Sequence, residues 1–378
     1  MAGIYIHIPF CRQKCHYCNF FSVATKRGRD TFTDALLREA EMQRGYLAGE
    51  KIETIYFGGG TPSLLQTEDL SRIFDVIYSL FPVDNEAEIT LEANPDDLTE
   101  EKAREWKDTP VNRLSIGVQS FFDDDLAYLN RVHNAGQARQ SIEIARKAGF
   151  ENLTIDLIYG IPTLTEKKWR QNLELFFFLN IPHLSAYALT VEEKTPLWTL
   201  IRKGKYVPVD EVQSVSHFRA LLEMAAKKGF VHYEISNFSL PGHYSRHNSL
   251  YWLGGHYLGL GPSAHSYNGV SRQWNVSRLD GYLRLSGHQT VVEEKEILTP
   301  EQRYNEYVMT SLRTVWGCDT DHIRHVFGEA RRDFFLENAR PFTERNHLYR
   351  EGNRFFLTAE GKLFADGIAA ELFIATEP

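Results

Sequence analysis

Ile4-Tyr5-Ile6-His7-Ile8 leads through Pro9-Phe10 into Cys11-Arg12-Gln13-Lys14-Cys15-His16-Tyr17-Cys18. The first five residues read as a β-strand, β-branched residues alternating with rings. The following eight place three of the chain's four cysteines on one loop directly after it. Outward from this stretch, short apolar, β-branched or aromatic runs recur at Thr54–Phe57, Glu88–Glu92, Arg113–Val118, Leu153–Ile158 and His183–Leu189, with helical patterns between them. Phe32, Ala35, Leu36 and Ala40 follow helical spacing, as do Val215, Phe218, Leu222 and Ala225 before a stop at Gly229. Six strand-then-helix units in order imply parallel strands joined by right-handed crossovers. A doubly wound sheet and a partial barrel both satisfy that pattern. The barrel is favoured because polar groups recur at or just beyond the C-terminal ends of the strands, where a barrel gathers its site. The expected fold class is α/β, a partial TIM-type (β/α)6 barrel over residues 1–235.

Beyond the barrel, residues 236–298 form a connecting region without clear helical periodicity. Five of the chain's 14 histidines crowd its approach and first part: His232, His243, His247, His256 and His265. A new unit, 299–378, opens at Thr299-Pro300-Glu301-Gln302, which reads as N-cap, N1 proline and capping-box glutamine. Further helices, a hairpin at Leu348–Leu357 around Gly352-Asn353 and a last helix suggest a winged-helix-like appendage. Its 10 Lys/Arg against 13 Asp/Glu leave a net of −3. A DNA-reading wing should be basic, so a lid or interaction role is expected.

Composition sets the outer limits. The 378 residues are 43% hydrophobic and 24% charged, ordinary for about two domains or a barrel with an appendage. A net charge of −8 gives no support for nucleic acid as a partner. No apolar stretch approaches the ~18 residues of a transmembrane helix. Met1 to Phe10 lacks the basic start of a signal peptide, so a cytoplasmic location is expected.

Three cysteines within eight residues, in a chain this poor in cysteine, point to metal. A structural zinc site normally takes four ligands in paired short spacings, and no second pair exists, although His16 inside the loop offers one further donor. Three incidental buried thiols are the plainest alternative. Three thiolates on one tight loop also suit a cubane iron–sulfur cluster with one iron left open for a chelating ligand. Cys318 follows Gly317 without a partner and reads as a structural core thiol.

The cysteine spacing, with Tyr17 before the last cysteine, resembles the cluster motif of the radical S-adenosylmethionine (SAM) superfamily. That resemblance implies a [4Fe–4S] cluster on Cys11, Cys15 and Cys18. It also implies SAM bound to the open iron and cleaved reductively to a 5′-deoxyadenosyl radical. Other elements agree in order: Gly58-Gly59-Gly60-Thr61-Pro62 after the second strand, and Glu92-Ala93-Asn94-Pro95 at the end of the third. Gly117-Val118-Gln119-Ser120 closes the fourth, Arg131 follows, and Asp156 sits in the fifth. Taken singly, each could be a capping or solvated residue.

From Gly3 to the C-terminal unit the chain resembles the subfamily containing oxygen-independent coproporphyrinogen III dehydrogenase and the haem chaperone HemW. The resemblance places Tyr5, Tyr17, Gly59, Gly60, Thr61, Glu92, Gln119, Arg131, Asp156 and Ala188 at cofactor-contacting positions. Glu92 and Asp156 suit ribose or ammonium, Arg131 suits a carboxylate, and Gln119 both donates and accepts.

Two departures separate the cousins. The decarboxylating enzyme carries a further cysteine two residues after the third, where this chain has Phe20, and it carries a longer segment before the cluster motif. Conversely, Arg246-His247-Asn248-Ser249-Leu250-Tyr251-Trp252 matches a His-Asn-x-x-Tyr-Trp motif associated with haem binding in the chaperone branch. There, a neutral His247 imidazole would ligate haem iron and the rings of Tyr251 and Trp252 would pack on porphyrin. The plainer alternative is a buried loop histidine bonded to backbone carbonyls. The resemblance therefore implies a haem carrier that passes haem to acceptor haemoproteins, with anaerobic coproporphyrinogen III dehydrogenase as the alternative.

Overall fold

A computed structural model describes residues 1–284 and 290–375 of the chain. Six strands follow one another in the expected order: β1 (Ala2–Ile8), β2 (Ile52–Gly59), β3 (Val83–Ala93), β4 (Arg113–Gln119), β5 (Asn152–Tyr159) and β6 (His183–Ala188). They pair in parallel, each with its sequence neighbour. Alternation along each strand separates two chemistries. Ile4, Ile6 and Ile8 of β1, Ile55 and Phe57 of β2, and Leu114, Ile116 and Val118 of β4 are buried against the helices. The intervening residues, among them Tyr5, Tyr56, Glu92, Arg113, Ser115, Asp156 and Ser185, face inward and line a cavity. With a side-chain period of two, one strand can serve an apolar jacket and a polar interior at once.

The sheet continues past both ends of this set. Strands β7 (Val231–Glu234) and β8 (Asn237–Ser239) add to β6 as an antiparallel hairpin. On the other flank β9 (His256–Leu260) pairs in parallel with β1, Ala2 opposite His256 and Ile6 opposite Leu260. Antiparallel β10 (His265–Tyr267), β11 (Ser271–Asn275) and β12 (Val292–Ile297) complete a twelve-stranded sheet. The histidine-rich region thus extends the barrel sheet, although it shows no helical periodicity in sequence. It also contains a helix, Arg246–Trp252, too short at seven residues to display one. Ser245 caps that helix, its hydroxyl accepting from Asn248 N–H at 3.3 Å.

The C-terminal unit has its own core, built on Tyr304, Val308, Leu312, Ile323, Phe335 and Leu348. Its first helix, Pro300–Leu312, starts with the expected reciprocal box. Gln302 N–H donates to the Thr299 hydroxyl at 3.2 Å, and Thr299 N–H donates to the Gln302 side chain at 2.7 Å. Helices Thr320–Phe327 and Glu329–Glu344 precede the hairpin of β14 (Leu348–Glu351) and β15 (Arg354–Leu357), to which β13 (Cys318–Asp319) adds a third strand. Gly352 turns that hairpin at φ +58°, the left-handed backbone a two-residue loop requires. Cys318 is wholly buried in this core. No helix among the described residues is long and apolar enough to cross a membrane.

Candidate functional site

The cysteine loop lies across the C-terminal ends of the parallel strands and is pinned from several sides. Cys11 N–H donates to Val23 O at 3.0 Å, and Val23 N–H returns to Pro9 O at 2.8 Å. His16 faces away from the cavity: its N–H bonds Leu129 O at 3.1 Å, and its ring meets Tyr206 edge-on. Arg12 pairs with Asp97, and Asn130 donates to Lys14 O at 2.9 Å. These anchors leave Cys11, Cys15, Cys18 and Tyr17 lining a cavity of about 460 Å³ together with Gly59, Gly60, Thr61, Glu92, Gln119, Arg131, Asp156 and Ala188. Every proposed cluster and SAM residue except Tyr5 meets there. The donor set, three thiols on one wall with a cation beside them, fits an anionic iron–sulfur cluster.

A polar chain joins the glycine loop to the cysteines. Asn94 donates to the Thr61 hydroxyl at 3.2 Å and accepts from Arg131 at 2.5 Å; Arg131 also donates to Gly117 O at 3.0 Å and Cys15 Sγ at 3.3 Å. The Glu-x-Asn-Pro stretch thus contributes Asn94 as the link that orients Arg131. The glycines have a structural reason besides ligand approach. A Cβ at Gly59, where φ is +104°, would meet the His7 ring at 2.6 Å, and one at Gly60 would meet Phe10 O at 2.7 Å. Gln119 is more unusual: it holds φ +65° at a register shift in β4, a conformation uncommon for a non-glycine residue.

Burial opposes the ionisation of the two carboxylic acids. It raises Glu92 to about 8, helped by Asp156, against the hydrogen bond from Tyr56 OH at 2.8 Å. It raises Asp156 to about 6, against hydrogen bonds from Ser185 and Ser115. Desolvation also pushes the Cys18 thiol up to about 11.

Tyr5 and His247 lie elsewhere. They line a second cavity of about 530 Å³ in the barrel interior, which shares Phe20, Glu92, Asp156 and Tyr187 with the first. Tyr5 turns its ring away from the cysteines, stacks on Tyr56 and bonds His7 at 3.2 Å. Phe20, 67% exposed, stands at the rim of both cavities. The helix Arg246–Trp252 plugs the opposite, N-terminal end of the barrel. Its amides at Arg246 and His247 both donate to the Glu88 carboxylate, each at 3.1 Å. His247 is 1% exposed, and both ring nitrogens bond hydroxyls rather than carbonyls: Nδ1 with Thr54 and Nε2 with Tyr251, each at 2.8 Å. Burial, with Arg113 nearby, lowers its pKa to about 3, so the imidazole is neutral. Arg113, charged at the start of β4, is 2% exposed, and its Nε and Nη2 have no hydrogen-bond partner among the described residues. Thr54, Glu88 and Arg113 were not expected to matter; polar residues inside otherwise apolar strand runs were the available signal.

Residues 5–176 match the radical SAM superfamily, and residues 298–364 match the HemN C-terminal domain. The heme chaperone HemW of Lactococcus lactis is 34% identical, covering 94% of this chain and 93% of its own length. The chain belongs to the HemW family. The Bacillus subtilis heme chaperone HemW is 33% identical over 97% of this chain and 98% of its own length. Among solved structures, the coproporphyrinogen III oxidase HemN of Escherichia coli, a radical SAM enzyme, superposes with a TM-score of 0.84. It covers 98% of this chain and 90% of the other at 23% identity, which establishes the shared fold. HemW membership bears out the resemblance read from the cysteine loop and the His-Asn-x-x-Tyr-Trp stretch.

Proposed function

We propose that the protein is a haem chaperone of the cytoplasm that binds haem and hands it to acceptor haemoproteins. The observation that carries this reading is the neutral His247, whose cavity shares walls with the cavity lined by the three thiols. A deprotonated imidazole nitrogen is what iron ligation needs, and here no proton has to be removed first. A [4Fe–4S] cluster held by Cys11, Cys15 and Cys18 would supply one-electron chemistry and an open iron for the amino and carboxyl groups of SAM. Arg131, oriented by Asn94, offers a cation to the SAM carboxylate. Glu92 and Asp156 offer acceptors to ribose or ammonium, and Gln119, Thr61 and the Gly59–Gly60 backbone supply further polar contacts. Tyr17 and Ala188 complete the wall, while Tyr5 supports the site from the adjoining cavity. In this reading residues 1–235 hold cluster and SAM, 236–298 carry the haem ligand, and 299–378 act as a lid or interaction unit.

Anaerobic haem titration tests it. A Soret shift is expected in the wild type and its loss in His247→Ala; no shift in the wild type would sink the reading. The fold shared with HemN favours a second reading, oxidative decarboxylation of coproporphyrinogen III. Turnover of that substrate under reducing conditions would decide for it; Phe20 in place of a further cysteine speaks against it.

A further inference from the structure

The outer side of the cysteine loop is tied to one buried carboxylate. Asp97 closely follows the Glu92-Ala93-Asn94-Pro95 stretch after β3, and its side chain is 0% exposed. One carboxylate oxygen pairs with Arg12, the residue after Cys11, whose side chain is 49% exposed. Arg12 is the one ion partner of Asp97 among the described residues; Asp96 lies farther from the guanidinium, at 3.9 Å. The other oxygen of Asp97 accepts from the Ser63 hydroxyl at 3.1 Å.

Ser63 Oγ in turn accepts from Asn94 N–H at 3.4 Å, and its carbonyl takes Lys102 Nζ at 2.5 Å. Asp97 N–H closes a turn on Asn94 O at 3.0 Å. Asn94 continues through Arg131 to Cys15 Sγ. Asp97 therefore reaches the cysteine loop twice, directly at the residue after Cys11 and through Ser63, Asn94 and Arg131 at Cys15. A carboxylate withdrawn from water is tolerated when an opposite charge offsets it. Here that charge sits next to a cluster ligand, so keeping Asp97 paired holds Cys11 against the loop after β3. The pair also places two opposite charges beside the thiols. Together they nearly cancel there, whereas either alone would bias the electron affinity of an adjacent cluster.

We propose that Asp97 is a positioning residue for the cluster, fixing the span from Cys11 to Cys15 against the SAM cavity and balancing the Arg12 charge. The proposal rests on a cluster at Cys11, Cys15 and Cys18, and adds what sets its placement and its potential.

The test reconstitutes the full-length protein anaerobically with iron and sulfide, beside Arg12→Gln, Asp97→Asn and the double variant. Iron content, the midpoint potential in a dithionite titration and SAM affinity by equilibrium dialysis are read for each. Arg12→Gln leaves the buried carboxylate unbalanced, so the potential should fall. Asp97→Asn leaves the cation unbalanced, so the potential should rise. A merely structural loss would move both the same way. Each single variant should weaken SAM about ten-fold, the loss of one charged contact. The double variant should bind SAM no worse than either, because the same interaction is removed only once, and its potential should return to the wild-type value. Potential shifts of one sign, no shifts, or SAM losses that multiply to about a hundred-fold would overturn the proposal. Where a single variant takes up no iron, the double variant decides: restored uptake supports the pair and continued failure overturns it. A wild type that takes up no cluster would remove the cluster itself, and the proposal with it.

Discussion

The two ends of the barrel solve different problems with the same six strands. At the C-terminal end, loops and inward-facing strand residues together supply the chemistry. The cysteine loop is tied down by backbone hydrogen bonds and ion pairs, leaving thiols, carboxylic acids and Arg131 around an accessible cavity. At the N-terminal end a seven-residue helix closes the interior and buries His247 completely. In barrels of this kind the N-terminal face usually serves stability. Here it holds an imidazole kept neutral by burial, so an element that plugs the fold is also the one proposed to carry cargo. One end gathers thiols, carboxylic acids and Arg131 around a cavity; the other buries the imidazole proposed to ligate haem.

The sharpest way to break that division is Cys15→Ala. Iron bound as a cluster should fall to near zero, because a proposed ligand and the hydrogen-bond partner of Arg131 are lost together, while haem titration at the far end should persist. Loss of both activities at once would show that the ends are not separable. Glu88→Ala attacks the other end. It strips the carboxylate from two helix N-terminal amides and from Arg113, 4.0 Å away, and should cost about 3 kcal/mol in denaturant unfolding. Haem affinity should drop with it, and cluster iron content should not.

The pH response should also differ between the ends. Folded Glu92 keeps its proton to about pH 8, whereas an ordinary glutamate releases it near 4.5. Its burial therefore removes stability progressively as pH rises through that window, and Glu92→Gln should flatten the profile. In the same range the affinity for cationic SAM should climb toward pH 8 by up to about ten-fold per unit and then level off, read by equilibrium dialysis. His247, lowered to about 3, should show no proton competition for haem between pH 5 and 8. The smallest effect concerns Gln119. Gln119→Gly should relieve the left-handed backbone and raise stability by about 1 kcal/mol, seen as a higher melting temperature, while weakening SAM binding.

Much of the upper end was legible in the chain itself. A cysteine loop after a strand, a glycine run after the next, and Glu92, Gln119 and Asp156 on successive strands are local patterns, and parallel order converts them into one cavity. Tyr5 departs from that logic. It precedes the cysteines closely in sequence, yet its position on β1 turns the ring into the barrel interior, where Tyr56 takes it up. The lower end was legible only as a motif. Nothing near His247 in sequence announces Thr54 or Glu88, which reach it from strands far upstream.

By itself the sequence determined what depends on neighbours along the chain: six strand–helix repeats, a three-thiol loop, the Thr299 capping box and the Gly352 hairpin. Each is decided by period, spacing or a dihedral preference acting over a few residues. Only the tertiary structure decided that β9 would join β1 from some 250 residues away, that the histidine-rich region would extend the barrel sheet, and that His247 would sit neutral beneath it. Those outcomes follow from long-range pairing and desolvation, which no local stretch encodes.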